Sequence, residues 1–304
     1  MVRLSSLEEL GLDLSGDALE PFLDRGGHGR ERWQAEMALR RRRILVRLAK
    51  HLAGGWLAEA KRSTQKVRDE YDAAWAIGHE RYDPRNREPK VTPWLWRGRP
   101  ILFDAAGAAR FRLPLYAAVI KQLKPRHILE VGSGDGINLL LLAGAFPEIS
   151  FTGLELTAGG IAAARKAQDS PLLGQSLQEY SPLVQEDKRA YQRVQFIQGN
   201  ACAMPFQDAA FDVVLTVLAI EQMERVRQKA LTEIARVTGK HLLSLEPFRE
   251  VNRTVYRRIN ILTRDYFRGS IGELANYGLQ PLWATADFPQ EVFLGAALVL
   301  SVKQ

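Results

Sequence analysis

The pattern of apolar positions before residue 127 predicts helices. Apolar residues at helical spacing predict a helix across residues 30–75, and the glycine pair at 54–55 divides it in two. Residues 82–100 contain four prolines and little periodicity, which predicts a loop. A further helix is predicted over residues 108–124, where Pro125 ends it. The first part of the chain is therefore predicted to be a helical N-terminal extension.

At His127 the pattern changes to short apolar runs that alternate with helical or polar segments. Seven of these runs are predicted to be strands, at residues 127–131, 149–156, 194–199, 211–218, 241–248, 279–285 and 292–302. Strands that alternate with helices predict a mostly parallel sheet with helices on both faces. The last run follows its neighbour after a short connection, so it is predicted to be antiparallel. The sequence thus predicts an α/β fold with a seven-stranded sheet.

These patterns divide the chain into a helical extension, or lid, at residues 1–100 and an α/β domain at residues 101–304. A lid insertion is predicted after the fifth strand, at about residues 247–268. The net charge is +7, and residues 28–100 carry 18 Lys/Arg against 9 Asp/Glu. This basic block predicts either an anion-facing surface or a solvated helical face, and the sequence leaves both open.

The composition excludes several classes of protein. Hydrophobic residues make up 46% of the chain, which is ordinary for a globular protein and excludes global disorder. Cys202 is the only cysteine, which excludes an internal disulfide and a cysteine-based zinc cluster. The acidic, polar N-terminus does not resemble a secretory signal, and the apolar runs fall short of the roughly 20 residues that span a bilayer. We therefore expect a cytoplasmic protein with no metal site.

The stretch "ILEVGSGDG" joins a predicted strand to a predicted helix through three glycines. Glycines let a ligand approach the backbone closely, and the following helix start offers free N–H groups. Glu155 ends the next strand about 20 residues further on, where an acid can accept hydrogen bonds from ribose hydroxyls. Gly136 comes one residue too early for the dinucleotide version of the motif.

Four stretches in order make the chain similar to the class I S-adenosylmethionine-dependent methyltransferases. They are "ILEVGSGDG", "GLEL", "GNACAMPFQDAAFDVVLTVLAIEQM" and "HLLSLEPF", and the resemblance covers about residues 110–304. It implies a Rossmann-like methyltransferase sheet whose last strand is antiparallel, and S-adenosyl-L-methionine as cofactor.

The resemblance also implies which residues bind the cofactor. Those of the glycine loop would line it, with Asp135 beside them: Glu130, Gly132, Ser133, Gly134 and Gly136. Glu155 would hold the ribose hydroxyls. The adenine would meet Asn200 and Ala201, between the apolar walls Leu156 and Met204. Val217 and Leu218 would lie near the methionine end.

Methyl transfer requires alignment and exclusion of water, and it needs a base only for a weakly acidic acceptor. Glu221 and Glu246 lie at strand ends and are weak candidates for that base. Gln222 stands where many relatives carry a histidine, so a mechanism that uses this histidine does not transfer to this chain. Gln222 remains a candidate for binding substrate.

The acceptor pocket is predicted from the segments that flank the core. Tyr71, Trp75 and Tyr82 of the extension are candidates for one wall, with ordinary helix packing as the alternative. The insertion after the fifth strand is the candidate for the other wall. Its arginines Arg253 and Arg257 are four residues apart and continue from Arg249, which predicts a helical stripe that binds a carboxylate or phosphate. Surface salt bridges are the alternative.

Four functions are consistent with the sequence. The favoured one is a methyltransferase for a small or medium-sized acceptor that can be anionic. An RNA methyltransferase would use the basic segment and its tryptophans. A cofactor-binding protein without catalysis is permitted by the absence of a secure base. Work at a membrane surface would use a basic amphipathic helix at residues 37–60. The acceptor and the oligomeric state are not fixed by the sequence.

Overall fold

The computed structural model describes residues 3–12, 29–54, 63–75, 91–103, 105–169 and 181–304. The strands in this part of the chain are β1 (Leu4–Ser5), β2 (Thr92–Trp96), β3 (Arg99–Phe103), β4 (His127–Val131), β5 (Ser150–Glu155), β6 (Gln195–Gln198), β7 (Phe211–Val217), β8 (Thr238–Glu246), β9 (Leu279–Thr285), β10 (Gln290–Glu291) and β11 (Ala297–Lys303). The α-helices are α1 (Gly29–Ala53), α2 (Thr64–Trp75), α3 (Ala105–Leu123), α4 (Ile137–Ala145), α5 (Ala158–Asp169), α6 (Arg227–Val237) and α7 (Val255–Arg264).

The central sheet has the order β1-β9-β11-β8-β7-β4-β5-β6. Only β11 runs antiparallel to its neighbours, β8 and β9. All seven predicted strands are present, and the antiparallel last strand is confirmed. The sheet gains one strand that the sequence did not predict, because the two residues of β1 pair with the edge strand β9 and are too short to show a pattern.

The two faces of the sheet pack against different helices because successive strand residues point to opposite sides. Ile128 of β4 belongs to a core that includes residues of α3 and α4. Leu129, the next residue, belongs to a second core that includes residues of α6. The same alternation occurs at Leu242 and Leu243 of β8. The Rossmann-like α/β arrangement with helices on both faces is therefore confirmed.

The N-terminal part contains the two predicted helices, α1 and α2, but it also contains strands. The prediction of a loop across residues 82–100 is wrong for residues 92–100, since β2 and β3 form a hairpin that β10 extends to three strands. The hairpin forms despite its two prolines because Trp94 and Phe103 pack against Phe111 of α3. The hairpin crosses residue 100, the position at which the sequence divides the chain.

The strand order reverses direction at β4, whose neighbours β5 and β7 lie on opposite sides. Open α/β sheets bind ligands at such a point, in the crevice beyond the carboxyl ends of the strands. Among the described helices, none is long and apolar enough to cross a membrane.

Candidate active site

A cavity of about 400 Å³ opens at the carboxyl ends of β4, β5 and β7. Its volume lies in the range of small-molecule sites. The cavity brings together most of the predicted site residues, namely Tyr71, Trp75, Glu130, Gly132, Ser133, Gly134, Glu155, Leu156, Asn200, Ala201, Val217, Leu218, Glu221 and Gln222. Other predicted residues do not line it, namely Gly136, Met204, Glu246, Arg253 and Arg257. Tyr82 lies outside the described residues.

The glycine loop between β4 and α4 uses left-handed backbone that only glycine adopts readily. Gly132 and Gly134 have φ values of 76° and 56°. The backbone N–H groups of Gly132 and Ser133 both donate to the Leu154 carbonyl, which ties the loop to β5. Gly136 caps α4, and a Cβ there would overlap Phe196. Gly136 is therefore required for packing behind the loop rather than at the cavity surface.

Glu130 places a buried carboxylate inside the cavity. Its side chain is 1% exposed, and Oε1 accepts a hydrogen bond of 2.7 Å from Nδ2 of Asn138. Oε2 is buried without a partner. Burial raises the pKa of Glu130 to about 8, and the hydrogen bond from Asn138 opposes that rise. A buried oxygen of this kind is costly unless a ligand donates to it.

Glu155 ends β5 and links it to the glycine loop. Its Oε2 accepts a hydrogen bond of 3.0 Å from the Gly134 N–H. Its Oε1 accepts from the Thr157 backbone N–H at 2.9 Å and from the Thr157 hydroxyl at 2.7 Å. Each carboxylate oxygen has two acceptor sites, so Oε1 is filled by Thr157, whereas Oε2 can still receive a ligand hydroxyl. Glu155 therefore also shapes the loop, a role that the sequence did not predict.

Three of the four residues that the resemblance assigns to the adenine line the cavity, namely Leu156, Asn200 and Ala201. Asn200 and Ala201 line the cavity after β6, and Cys202 beside them also lines it. The Asn200 side chain accepts a hydrogen bond from the Cys202 N–H, which fixes this turn. Met204 instead belongs to the core on the α6 side of the sheet.

Helix α2 covers the glycine loop. Its residues Thr64, Val67, Tyr71 and Trp75 line the cavity at the spacing of one helical face. The helix is anchored at α5, because Asp72 Oδ1 accepts a 2.8 Å hydrogen bond from the Gly159 N–H in the first turn of α5.

Glu221 occupies the end of the cavity beyond β7. Its Oε1 accepts a hydrogen bond from Nε2 of Gln222, whereas Oε2 and the Gln222 Oε1 are buried without partners. Burial raises the pKa of Glu221 to about 7, while the Gln222 hydrogen bond and the charges of Arg264 and Arg112 oppose the rise. This carboxyl group can therefore both hold and release a proton near neutral pH.

Glu246 is fully buried at the end of β8 and does not reach the cavity. Its carboxylate accepts hydrogen bonds of 3.0 and 3.1 Å from the backbone N–H groups of Ala219 and Ile220, and a third from Glu221. Burial and the neighbouring Glu221 raise the pKa of Glu246, and the backbone N–H groups lower it. Glu246 thus orients the turn that carries Glu221.

The predicted arginine stripe is not formed. Helix α7 begins at Val255, so Arg253 precedes it and Arg249 lies in a separate short turn. The Arg257 guanidinium donates to the backbone carbonyls of Val292, Val251 and Glu291 at 3.0, 2.6 and 2.9 Å. Arg257 therefore stabilises the packing of α7 on the strand β10 segment.

Several cavity residues were missed from the sequence. Asn138, Met223 and Val226 lie close to predicted motifs, whereas Arg112 and Ala108 come from α3. Arg112 does carry a signal, because it is a charged residue within the mostly apolar run "FRLPLYAAVI". Within the described residues, no group of three or more His, Cys, Asp or Glu is placed to hold a metal ion.

The comparison with protein families matches residues 129–241 to the methyltransferase domain family. These residues run from within β4 into β8 and include the glycine loop, Glu155 and Glu221. The matched domain is that of a class I S-adenosylmethionine-dependent methyltransferase. S-adenosylmethionine is the cofactor of this family. The cavity fits it on two counts, namely the unpartnered Glu130 oxygen and the bare backbone at Gly134.

Curated relatives match parts of this methyltransferase chain. The fatty-acid O-methyltransferase of Mycolicibacterium smegmatis is 31% identical over 130 residues, which are 42% of this chain and 39% of that protein. The tRNA (guanine-N(7)-)-methyltransferase of Leuconostoc citreum is 26% identical over 215 residues, which are 70% of this chain and 86% of that one. The chain thus spans less than half of the length of the fatty-acid relative.

A solved structure shares the fold over a greater length. The cyclase SpnF superposes with a TM-score of 0.54 over 79% of this chain and 96% of its own, at 16% identity. This likeness shows the fold alone.

Proposed function

We propose that the chain transfers the methyl group of S-adenosylmethionine to a small-molecule acceptor that binds between α2 and the end of β7. The observation that carries this proposal is the unpartnered Glu130 oxygen within a cavity walled by the glycine loop. A buried carboxylate oxygen that can accept a hydrogen bond suits the ammonium group of the methionine moiety.

The residues that would hold the cofactor follow from their positions. Glu130 would accept from the ammonium group and Glu155 from the ribose hydroxyls. Asn200 and Ala201 would contact the adenine, next to the apolar side chain of Leu156. When bound, S-adenosylmethionine supplies a methyl group that its sulfonium already activates.

The chain's own contribution is alignment, exclusion of water and movement of a proton. Helix α2 covers the site, and Trp75 and Tyr71 close its apolar side. Glu221 Oε2 would accept the proton of a hydroxyl or ammonium acceptor. Glu246 would hold Glu221 in place through its hydrogen bond to the Glu221 backbone N–H.

A small acceptor is supported by the volume and the walls of the cavity. Apolar residues to which the resemblance gives no cofactor role also line it, namely Val67, Tyr71, Ala108, Met223 and Val226. A relative named as a fatty-acid O-methyltransferase is consistent with an apolar acceptor.

The test is a labelling experiment in cell extract with S-adenosylmethionine that carries a deuterated methyl group. The wild-type protein should produce small molecules whose mass increases by the labelled methyl group. A Glu130→Ala variant should produce none, because it loses the ammonium partner, provided that it stays folded. If the wild-type protein binds the cofactor and yields no labelled product, the proposal of catalysis fails and a cofactor-binding protein without catalysis remains.

RNA is the second candidate acceptor, because the tRNA-modifying relative covers 70% of this chain. The basic helix α1 would provide phosphate contacts, since Arg41, Arg42 and Arg43 are exposed along it. A gel-shift titration with total tRNA across a salt series tests this alternative. Binding that weakens steeply with salt, together with label in the RNA fraction, would replace the small-molecule proposal.

A further inference from the structure

Arg112 is a cationic side chain of the cavity that interacts with Glu221 and Glu291 only through their charges and forms no salt bridge with either. It lies on α3, is half-buried and lines the same cavity as Glu221. Its guanidinium makes no hydrogen bond or salt bridge within the described part of the chain, and its Nε is buried without a partner. Contacts with Phe111 and Trp94, whose ring centres lie 5.5 and 5.9 Å from the guanidinium carbon, hold the side chain but satisfy none of its N–H donors.

Neighbouring arginines differ from Arg112 because the protein itself supplies their partners. Arg40 forms a salt bridge of 3.0 Å with Glu291. Arg264 donates a hydrogen bond of 2.8 Å to the Tyr266 hydroxyl. A half-buried guanidinium without such a partner has lost part of its hydration, and no hydrogen bond from the protein replaces it. Because Arg112 lies at the cavity wall, its N–H donors are placed to bind an anionic ligand.

We propose that Arg112 binds the carboxylate of the acceptor, and that the acceptor is a monocarboxylic acid with an apolar body. The planar guanidinium can donate two parallel hydrogen bonds to a carboxylate. This inference rests on the proposed function, since it assigns the substrate class of the same cavity.

The charges around Arg112 favour one negative charge over the two of a phosphate monoester. Arg112 is the only cationic side chain among the described residues that line the cavity, and Glu130, Glu155 and Glu221 lie on the same walls. Each of these acids disfavours a second negative charge on the ligand. The cavity is also lined by the apolar side chains of Val67, Met223 and Val226, which suit a hydrocarbon or aromatic body.

Calorimetric titration of the protein saturated with S-adenosylhomocysteine tests the inference. The probes are two pairs of a carboxylate and its neutral amide, namely decanoate with decanamide and 2-naphthoate with 2-naphthamide. Within a pair the apolar part is the same, so a difference in affinity reports the effect of the negative charge. For at least one pair the acid should bind about tenfold more tightly than the amide, which equals about 1.4 kcal/mol. Arg112→Gln should reduce this ratio to less than about twofold.

Two further variants control for charge and folding. Lys121→Gln removes one positive charge from an exposed position on the same helix and should leave the acid-to-amide ratio unchanged. Arg112→Lys keeps the positive charge but cannot donate the two parallel hydrogen bonds of a guanidinium, so it should retain only part of the preference for the acid. It also keeps the test decisive if Arg112→Gln does not fold.

The outcomes separate this inference from the proposed function. Equal affinity for acids and amides, no saturable binding of either acid, or an unchanged ratio in Arg112→Gln would overturn the role of Arg112. In each of these cases normal binding of S-adenosylhomocysteine would leave the methyltransferase proposal standing. Loss of S-adenosylhomocysteine binding in the wild-type protein would overturn both.

Discussion

The indole ring of Trp75 lies directly over the backbone of Gly134. A Cβ atom at residue 134 would come within 2.5 Å of the indole Cζ2, closer than real Cβ contacts. The covering helix α2 and the glycine loop therefore approach each other only because residue 134 has no side chain. The same bare backbone is the surface that the cofactor would contact.

Gly134→Ala should weaken S-adenosylhomocysteine binding at least about tenfold, or about 1.4 kcal/mol, because the added methyl group overlaps the Trp75 indole and displaces this wall of the cavity. Calorimetric titration measures the change. Gly98→Ala is the matched control, since Gly98 has φ of 77° and nothing within 4 Å of an added Cβ. Both variants should lose about 1–2 kcal/mol of stability to the left-handed backbone. Unchanged affinity in Gly134→Ala would show that the ligand does not approach this loop.

Cofactor binding should release a proton from Glu130. Burial raises the pKa of Glu130 to about 8, so the carboxyl is mostly protonated at pH 7 in the free protein. The ligand ammonium favours the ionised form and lowers that pKa, so binding at pH 7 should release close to one proton. Calorimetric titrations in two buffers with different ionisation enthalpies measure the number of protons released per ligand bound. Glu130→Gln should release none, and equal proton release in both proteins would remove Glu130 from the site.

Turnover should depend on the ionised form of Glu221. The pKa of this carboxyl is about 7, raised by burial and by Glu291 and lowered by Gln222, Arg264 and Arg112. The rate should therefore increase as pH rises through about 7, because a base must be unprotonated to accept a proton. The pH dependence of kcat, measured with the acceptor found by labelling, checks this prediction. Glu221→Gln should lower kcat about 10²-fold or more and remove the pH dependence, while S-adenosylhomocysteine affinity changes little. If the variant retains the pH dependence of kcat, that dependence belongs to another titratable group.

Arg257 should contribute to stability, in contrast to Arg253. Arg257→Ala leaves three backbone carbonyls without their donor and should lower the free energy of unfolding by about 2–4 kcal/mol. Arg253→Ala changes an exposed residue and should stay within about 0.5 kcal/mol. Urea denaturation of both variants measures the difference. Equal stability of the two variants would mean that the carbonyl contacts of Arg257 are not formed.

Local sequence was sufficient to predict the central strands and the glycine loop. Strand β4 is an apolar run that the glycines of the loop follow, and the run and its glycines lie within about ten residues of sequence. In the structure these glycines have left-handed backbone. The residues that the family resemblance assigns to the cofactor, from Glu130 to Leu218, lie at or just beyond the ends of such strands, and most of them line the cavity.

The remaining features depend on contacts between distant segments. Arg112 reaches the cavity only because α3 packs beside β4, and no motif surrounds it. Arg257 was assigned to substrate from its spacing, yet its partners Val292 and Glu291 lie more than thirty residues away in sequence. The hairpin at Thr92–Phe103 was missed because its prolines argued for a loop, whereas Trp94 and Phe103 pack into the core.

Titration of the purified protein with S-adenosylhomocysteine, with NAD as the comparison ligand, measures whether the cavity binds the cofactor of a methyltransferase. We expect saturable binding of S-adenosylhomocysteine with a Kd of about 1 μM, or about −8 kcal/mol, and no saturable binding of NAD. No saturable binding of S-adenosylhomocysteine, or tighter binding of NAD, would contradict it.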